Sequence, residues 1–260
     1  MMNKIIELIV ILVSLHLISC QSKDDKLVGQ VADYLIKKDY SRAAKLLDEA
    51  KALNPQNTCA DLYRCRLYLL QDQADKAGKC LDKALTDPGF DSRGSLFFET
   101  ANLFFKKSQY INAIRCYDAA IKAGEDYSHS YALKSDPSPG AETRWFRKYS
   151  FYYFFRANAS ALNGKCQEAL KYYNASINLA NKGLRSQDLL QEGVDLMFSD
   201  ETSDRLDYRR YVGSFFVNRG IVAEKIGLTD EAAQNRQNAD QLNFYDDLVL
   251  DTNEITCEDN

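Results

Sequence analysis

The chain has 260 residues, of which 45% are apolar, and this is enough to build one large or two small domains with a sizeable core. Its four prolines and twelve glycines leave room for long uninterrupted helices. The formal net charge of −4 argues against a nucleic-acid-binding surface, which is normally basic.

Residues 1–19 predict a signal peptide that is not part of the fold. Lys4 supplies a weak positive charge, and residues 8–18 form an apolar run of eleven residues, too short to span a bilayer stably. The sequence Leu17-Ile18-Ser19-Cys20 resembles a bacterial lipobox, which implies cleavage before Cys20 and lipid attachment to that cysteine. An ordinary secretory signal with an incidental cysteine is the alternative. Residues 20–23 would then form a short lipidated tether.

The segment 96–123, LFFETANLFFKKSQYINAIRCYDAAIKA, predicts two short helices joined by a turn at residues 107–109. Apolar residues recur at helical spacing on both sides of this turn. Matching residues occur along the chain at successive separations of 34, 36, 56 and 63, and four columns share these separations. Three columns consist mainly of small residues, which let helices approach closely, and one is bulkier. The columns are Ala43, Ala77, Ala113, Ala169, Ala232; Ala50, Ala84, Ala120, Ser176, Ala239; Val31, Cys65, Ala101, Ala157, Gly220; and Leu47, Leu81, Tyr117, Tyr173, Arg236.

At these residues the chain resembles the tetratricopeptide repeat family, whose 34-residue period equals the first separation. The segments KKDYSRAAKLLDEAKALNP, GKCQEALKYYNASINLA and IGLTDEAAQNRQNADQLN look like the turn and second helix of that repeat. The resemblance implies an all-α fold, a right-handed superhelical array of about five helix-turn-helix hairpins that stack to bury their apolar faces. The repeats are placed at 24–57, 58–91, 94–127, 150–183 and 213–246, with insertions at 128–149 and 184–212.

The segments around the last two repeats carry the clearest loop signals. The sequence SDPSPG at residues 135–140 predicts a loop that would divide the array into a three-repeat and a two-repeat part. The first helices of the fourth and fifth repeats are predicted to start early, near Ala141 and Asp204, and residues 186–198 favour an extra helix. The acidic C-terminal tail, residues 247–260, is predicted to be solvated and partly disordered, with residues 248–250 capping the last hairpin.

No catalytic constellation or metal site is predicted. The two histidines are His16, in the signal peptide, and His129, in a predicted loop, and this excludes most histidine-based triads and zinc sites. The phosphate-loop, dinucleotide-binding and EF-hand spacings do not occur in the sequence. We therefore predict a protein that is not an enzyme and has no cofactor.

Seven cysteines include the predicted lipid attachment site Cys20, which leaves six for the folded domain. An even number in an exported protein permits disulfides. However, Cys65 falls in a small-residue column, and Cys80 and Cys116 fall on neighbouring second helices, too far apart to be joined. Buried free thiols are favoured, and a disulfide from Cys257 or Cys59 to another element is the alternative.

In the tetratricopeptide repeat family, the first helices line a concave groove that holds an extended peptide or a partner helix. Asparagine suits such a groove because its amide both donates and accepts hydrogen bonds and can grip a peptide backbone. Members of the family with a carboxylate clamp have asparagine at the positions that match Asn158 and Asn218. They have lysine where this chain has Phe154, so the resemblance does not imply a carboxylate clamp here. The alternative is that the aromatic residues form inter-repeat core and the asparagines lie on the surface without a binding role. The predicted partner-binding residues are Phe98, Asn102, Phe105, Phe151, Phe154, Phe155, Asn158, Asn218 and Ile221.

The resemblance and the lipobox together predict a membrane-anchored lipoprotein that acts as a protein–protein scaffold or adaptor in the bacterial cell envelope. Its expected partners are proteins or peptides of the envelope and the membrane, through the lipid anchor, but not nucleic acid. Gln21 after the cysteine favours the outer membrane, facing the periplasm. The alternative function is a lipoprotein accessory to a transporter that binds a small molecule or a lipid in an aromatic-lined cavity near residues 145–155.

Overall fold

The computed structural model describes residues 23–86, 94–130, 141–188 and 205–258. These residues form ten α-helices and one short 3-10 helix and contain no strand, which confirms the all-α class. The predicted signal peptide, Cys20, the SDPSPG loop and most of the second insertion lie outside the described residues. The helices are α1 (Lys23–Ile36), α2 (Tyr40–Leu53), α3 (Thr58–Leu70), α4 (Ala74–Ala84), α5 (Gly94–Lys106), α6 (Tyr110–Ser130), α7 (Ala141–Leu162), α8 (Cys166–Asp188), α9 (Arg205–Lys225), α10 (Thr229–Leu242) and the 3-10 helix Asp246–Leu248.

The helices pair as five consecutive antiparallel hairpins in two compact units, Met1–Asp87 and Pro88–Asn260. The first unit contains the hairpins α1–α2 and α3–α4, and α3 packs on both helices of the first hairpin. The second unit contains α5–α6, α7–α8 and α9–α10, with α6 packed on α7 and α8 on α9.

The division between the units falls after the second hairpin, so the predicted separation into three and two repeats is wrong. The reason is that α6 and α7 pack closely across the first insertion. Gly124 of α6 leaves room for the ring of Tyr149, since a Cβ atom at this glycine would lie 1.8 Å from Tyr149 Cζ. Phe98 of α5 also stacks on Tyr152 of α7, with ring centroids 4.2 Å apart.

Two helices extend from the repeats into the predicted insertions. Helix α6 continues to Ser130, so His129 lies in a helix and not in the predicted loop. Helix α8 likewise runs to Asp188, beyond the predicted end of the fourth repeat. The early starts predicted for α7 and α9 agree with their first residues, Ala141 and Arg205.

The alanine column occupies equivalent positions in all five hairpins. Each member is the fourth residue of the second helix of its hairpin, and its amide donates to the carbonyl four residues earlier at 2.9–3.1 Å. Each is buried where the two helices meet, because a larger side chain would force them apart. The members are Ala43, Ala77, Ala113, Ala169 and Ala232, all at most 2% exposed.

The bulkier column shows where the series of hairpins ends. Leu47, Leu81, Tyr117 and Tyr173 are completely buried, whereas the side chain of Arg236 on α10 is 60% exposed and pairs with Glu224. A polar residue suits this position, because the outer face of a terminal repeat has no next hairpin to cover it.

The turns within the hairpins repeat as regularly as the helices. Each has three residues, and the middle one has a positive φ: 58° at Lys38, 58° at Asp72, 56° at Ser108, 80° at Gly164 and 84° at Gly227. The next residue donates its amide to the carbonyl five residues earlier, as Gln109 does to Phe104 at 2.9 Å. The predicted turn at residues 107–109 is thereby confirmed, and a left-handed residue closes every hairpin.

We expect Ser108→Gly to raise the free energy of unfolding by about 1 kcal/mol, because a side chain in the left-handed region costs about that much and glycine avoids the cost. The variant loses only one long hydrogen bond at the surface, between Tyr110 Oη and Ser108 Oγ, which are 3.5 Å apart. Urea denaturation measures the change. Ser108→Ala is the matched control, since it loses the same contact and keeps the Cβ atom; an equal gain for both variants would contradict the explanation.

A polar cluster fixes the start of the first unit. Asp24, in the first turn of α1, is 5% exposed, and its carboxylate accepts hydrogen bonds from Asn54 at 2.9 Å and Asn57 at 2.8 Å. Asn57 also caps α3 by accepting from the amide of Ala60 at 2.9 Å. These hydrogen bonds attach the first turn of α1 to the segment between α2 and α3.

The described helices are not of a kind that crosses a membrane, because none combines the required length with sufficient apolarity. Within the same residues, no group of three or more histidine, cysteine or acidic side chains is arranged to hold a metal ion.

Candidate functional site

The face on which α7 and α9 meet carries two of the predicted asparagines. Asn158 of α7 is 3% exposed and Asn218 of α9 is completely buried. The amide Nδ2 of Asn218 donates to Oδ1 of Asn158 at 3.1 Å. Two neighbouring first helices are thus joined by a buried amide pair, and this contact orients Asn218.

Tyr173 of α8 completes the arrangement by donating from its hydroxyl to Asn158 Oδ1 at 2.6 Å. The same pair occurs one hairpin earlier, where Tyr117 donates to Asn102 Oδ1 at 2.6 Å. Burial raises the pKa of both tyrosines well above the ordinary value, so that each remains a proton donor at any physiological pH. The Asn158 carbonyl oxygen therefore accepts from two fixed donors.

The C-terminal residues 243–258, here named the C-terminal strap, return along α9 after α10 ends at Leu242. Asn243 makes the turn with a φ of 58°, and its carbonyl lies against Gly213, where a Cβ atom would be only 1.6 Å away. The amide of Tyr245 then donates to Ser214 Oγ at 3.0 Å. Two adjacent residues of α9, a glycine and a serine, thus admit the strap and bind its main chain.

Asn218 binds the main chain of the strap from both sides of its amide. Its Nδ2 donates to the carbonyl of Leu248 at 2.9 Å, and its Oδ1 accepts from the amide of Leu250 at 3.1 Å. The sequence predicts that asparagine grips an extended peptide here. The structure places a peptide main chain against Asn218, but it is a segment of the same chain, and it enters this contact from the 3-10 helix Asp246–Leu248.

The far end of the strap is attached to the turn between α7 and α8. Ile255 is 2% exposed and belongs to the core of the second unit, and the amide of Glu258 donates to the carbonyl of Gly164 at 2.9 Å. Cys257 forms a disulfide with Cys166, the first residue of α8, with the Cα atoms 5.4 Å apart. The strap is therefore held at both ends.

The structure corrects two expectations from the sequence. The tail is not a solvated, disordered end, because Ile255 is buried and main-chain hydrogen bonds fix the strap. The sequence favours buried free thiols for the cysteines, but Cys166 and Cys257 form a disulfide. A disulfide from Cys257 to another element is the alternative that the sequence leaves open. Among the described residues no second disulfide forms, and Cys65 and Cys116 are buried as predicted. The isolated apolar Ile255 beside Cys257 is the signal in the sequence that could have indicated the attachment.

The structure divides the nine predicted partner-binding residues between the core and its margin. Phe154 stacks on Phe215 of α9 at a centroid distance of 4.3 Å, and Phe98 stacks on Tyr152. Much of the aromatic set therefore packs hairpin against hairpin, and its role in partner binding stays a prediction. Phe151, Phe154, Asn158 and Asn218 are buried, whereas Phe98, Asn102, Phe105, Phe155 and Ile221 are partly exposed.

The aromatic residues near 145–155 also pack on one another. The ring of Trp145 lies 4.7 Å from that of Tyr149, which in turn lies 5.0 Å from that of Tyr152. Tilted and edge-to-face pairs at such distances are typical of packed aromatic cores. These contacts favour helix packing over an aromatic-lined cavity for this segment.

We expect the free energy of unfolding to fall as the pH rises above about 10, more steeply than for a chain with exposed tyrosines. Burial raises the pKa of Tyr117 and Tyr173 well above 10 and that of Tyr208 to about 12. Above pH 10 the unfolded chain loses these protons first, so the unfolded state is favoured. Burial lowers the pKa of Lys148, and a hydrogen bond with Cys65 lowers that of Cys80. Both shifts act in the opposite direction, but they are fewer than those of the buried tyrosines.

Urea denaturation at several pH values between about 9 and 11 measures this effect. Tyr208→Phe is expected to flatten the pH dependence, because it removes one such proton and loses one hydrogen bond, to Ser150 Oγ at 3.0 Å. Stability that does not change across this range in the wild-type chain would contradict the prediction.

Five hairpins with equivalent crossings and equivalent left-handed turns define a helical-repeat protein, and comparison with known families specifies the kind. Residues 34–94 match the family model described as tetratricopeptide repeat. This segment covers less than a quarter of the chain and includes the whole α3–α4 hairpin. The sequence has no match among curated proteins.

Solved structures provide a further comparison. A crystal structure of MamA protein matches with a TM-score of 0.50 and 14% identity, over 84% of this chain and 91% of that chain. A second match is a putative kinesin light chain from Podosopora anserina, whose own TPR-like repeats are nearly identical to one another. It matches with a TM-score of 0.46 and 14% identity, over 84% of this chain and 93% of that chain. A structure of Pseudomonas aeruginosa pilF matches with a TM-score of 0.42 and 15% identity, over 85% and 91%. At such identity the likeness to MamA concerns the fold, which is that of tetratricopeptide-like repeats.

Proposed function

We propose that the chain is a lipid-anchored scaffold of the bacterial cell envelope that binds protein partners through its helical repeats. The observation that carries this proposal is the face of α9 beside α7, where Ser214 and Asn218 bind main-chain atoms of a non-α-helical segment. Binding of a peptide main chain by side-chain amides does not depend on the peptide's own side chains. The tetratricopeptide-like fold supports the same class of function, since such repeats generally serve as non-enzymatic interaction scaffolds.

Three features support the proposed location. The lipobox-like sequence ending in Cys20 supports export and lipid attachment, and Gln21 favours the outer membrane, facing the periplasm. The disulfide between Cys166 and Cys257 also supports an oxidising compartment, because structural disulfides persist there and are rare in the cytosol. Since Asp24 is already buried in the first unit, the repeats would lie close to the membrane surface.

The anchor is tested on the full chain expressed in a bacterium with its own N-terminus. The mature protein should begin at residue 20 with an acylated cysteine, detected by mass spectrometry, and should fractionate with outer membranes. Cys20→Ala should remain unprocessed or unlipidated. A wild-type mature chain that still begins with Met1, or that carries no acyl group, would overturn the anchor.

The scaffold role is tested by photo-crosslinking in living cells. A photoreactive phenylalanine analogue replaces Phe105, a partly exposed predicted groove residue on α5, and in a second strain it replaces Ile111, which is 64% exposed on α6 of the same hairpin. We expect a discrete envelope protein to be crosslinked from Phe105 and not from Ile111. Equal labelling from both positions, or no protein adduct at Phe105, would count against partner binding through the first helices.

A further inference from the structure

The strap is bound in the manner of a peptide ligand. From Tyr245 to Leu250 its hydrogen bonds to α9 use main-chain atoms, namely the amides of Tyr245 and Leu250 and the carbonyl of Leu248. On the receptor side they use the side chains of Ser214 and Asn218, which lie one helical turn apart. The strap forms the 3-10 helix Asp246–Leu248 between these contacts. A surface that recognises main-chain atoms in this way accepts other sequences that adopt the same main-chain conformation.

Aromatic contacts at one end of the strap add a side-chain preference. The ring of Tyr245 lies under the guanidinium of Arg210, whose Cζ is 4.0 Å from the ring centroid. The centroids of the Tyr245 and Tyr211 rings are 4.8 Å apart. Asp246 and Asp247 follow directly in the sequence. The resident segment is therefore an acidic peptide with one 3-10 turn, Asp246–Leu248, whose aromatic residue precedes the Asn218-bound carbonyl by three positions.

The strap has little buried side-chain surface of its own. Ile255 is buried, whereas Tyr245, Leu248 and Leu250 are partly exposed and most of the other described side chains of the strap are exposed. Beyond Ile255 the chain is held covalently by the disulfide of Cys257 with Cys166. Cys257 is itself partly exposed, so a thiol can approach the disulfide from that side.

We infer that the strap is a tethered occupant of a peptide-binding site on α9, and that the Cys166–Cys257 disulfide keeps it there. The site would take, in its place, an acidic partner peptide that forms one 3-10 turn and has an aromatic residue three positions before the Asn218-bound carbonyl. This inference rests on the proposed scaffold function and names the site and the chemistry of the partner. Occupation by a tethered segment lowers the apparent affinity for any partner, because the partner must compete with a high local concentration of the strap.

Release of the occupant is a thiol–disulfide exchange. A dithiol reductant attacks the disulfide, the bond between the sulfur atoms of Cys166 and Cys257 breaks, and the reductant becomes a disulfide. Two electrons and two protons pass to the protein, which is left with two thiols. The strap then remains attached through its main-chain hydrogen bonds, the ring contacts of Tyr245 and the burial of Ile255, without a covalent link, and a partner can displace it.

The first measurement follows hydrogen exchange in the full chain, oxidised and after treatment with dithiothreitol. Peptides that contain Tyr245 and Leu250 should exchange about tenfold faster after reduction, because the strap then opens locally. The Cys257→Ser variant should behave like the reduced protein. Peptides from α1 to α4 are the internal control and should not change.

The second measurement uses a synthetic fluorescent peptide with the sequence of residues 243–258 and serine in place of Cys257. We expect the Cys257→Ser full chain to bind this peptide about tenfold more tightly than the oxidised wild type, by fluorescence anisotropy. N-methylation of the peptide at Leu250 should abolish binding, because it removes the donor to Asn218 without altering the protein. N-methylation at Thr252 is the matched control and should leave binding unchanged.

Exchange that stays slow after reduction, or peptide binding that does not depend on the Leu250 amide, would overturn the inference and make the strap a permanent part of the core. Either result leaves the proposed function intact if crosslinking from Phe105 still captures a partner. Conversely, specific peptide binding without any captured partner would contradict the scaffold role alone.

Discussion

Replacing Asp118 and Glu168 together by alanine should lower the free energy of unfolding by about 3–5 kcal/mol, because it leaves a buried arginine without a counter-charge. The side chain of Arg156 on α7 is only 3% exposed. Its Nε donates to Asp118 Oδ1 on α6 and its Nη2 to Glu168 Oε1 on α8, both at 2.6 Å. One guanidinium thus joins three helices of two adjacent hairpins.

The asymmetry of burial makes the prediction specific. The side chains of Asp118 and Glu168 are 45% and 34% exposed, so water solvates them readily when the arginine is removed. Arg156→Met should therefore cost only about 1 kcal/mol, since an apolar side chain of similar length fills the site and no charge is left buried. The arginine also contacts Ser160 Oγ and lies over the ring of Tyr172, with Cζ 4.2 Å from the centroid.

Urea denaturation at neutral pH measures the loss of stability in the double variant and in Arg156→Met. The fluorescence of the single tryptophan, Trp145 on α7, reports the unfolding of the second unit. The single variants Asp118→Ala and Glu168→Ala should each cost less than the double variant. If Arg156→Met proved more destabilising than removal of both carboxylates, an uncompensated buried charge would not be the main cause of the lost stability.

The hairpin architecture could be predicted from the sequence because it depends on short-range periodicity. The spacing of Ala43, Ala77 and Ala113 identifies the crossings, and the intervening polar turns identify the hairpins. Close packing at these alanines then determines how neighbouring helices meet. The position of the left-handed turn residue follows from the same register, although Lys38 and Asp72 carry no glycine signal.

The C-terminal strap could not be predicted in the same way. It is mostly not helical, so hydrophobic periodicity says nothing about its path, and the pairing of cysteines cannot be deduced from spacing alone. The close approach of Asn243 to Gly213 and of Tyr149 to Gly124 likewise depends on which faces of distant helices meet. The peptide-gripping role predicted for Asn218 is chemically apt, but the sequence does not indicate that the chain's own tail is the peptide.

The aromatic residues beside the small-residue column illustrate a further limit. Successive residues of a helix point about 100° apart, so a ring next to the column faces either the groove or the neighbouring hairpin, and both choices preserve the periodicity. Phe154 and Phe155 are adjacent, yet the first is completely buried and the second is partly exposed. Which of the two contacts a partner therefore depends on how the hairpins pack.

Phe154→Ala should lower the free energy of unfolding by about 3–5 kcal/mol, because it opens a cavity between the fourth and fifth hairpins. The ring of Phe154 is completely buried, stacks on that of Phe215 at 4.3 Å and lies 6.1 Å from that of Tyr173. A residue that lined an open groove would instead lose little stability on truncation and would mainly weaken partner binding.

Phe105→Ala is the matched control, since Phe105 is predicted to line the same groove but is only partly buried, with its ring 5.7 Å from that of Tyr110. It should cost about 1 kcal/mol or less. Phe154→Leu should recover most of the stability lost in Phe154→Ala, because it restores most of the volume. Urea denaturation of the three variants shows whether Phe154 lies in the groove or in the inter-hairpin core. Equal small losses of stability in Phe154→Ala and Phe105→Ala would place Phe154 in the groove. A large loss confined to Phe154→Ala places it in the inter-hairpin core.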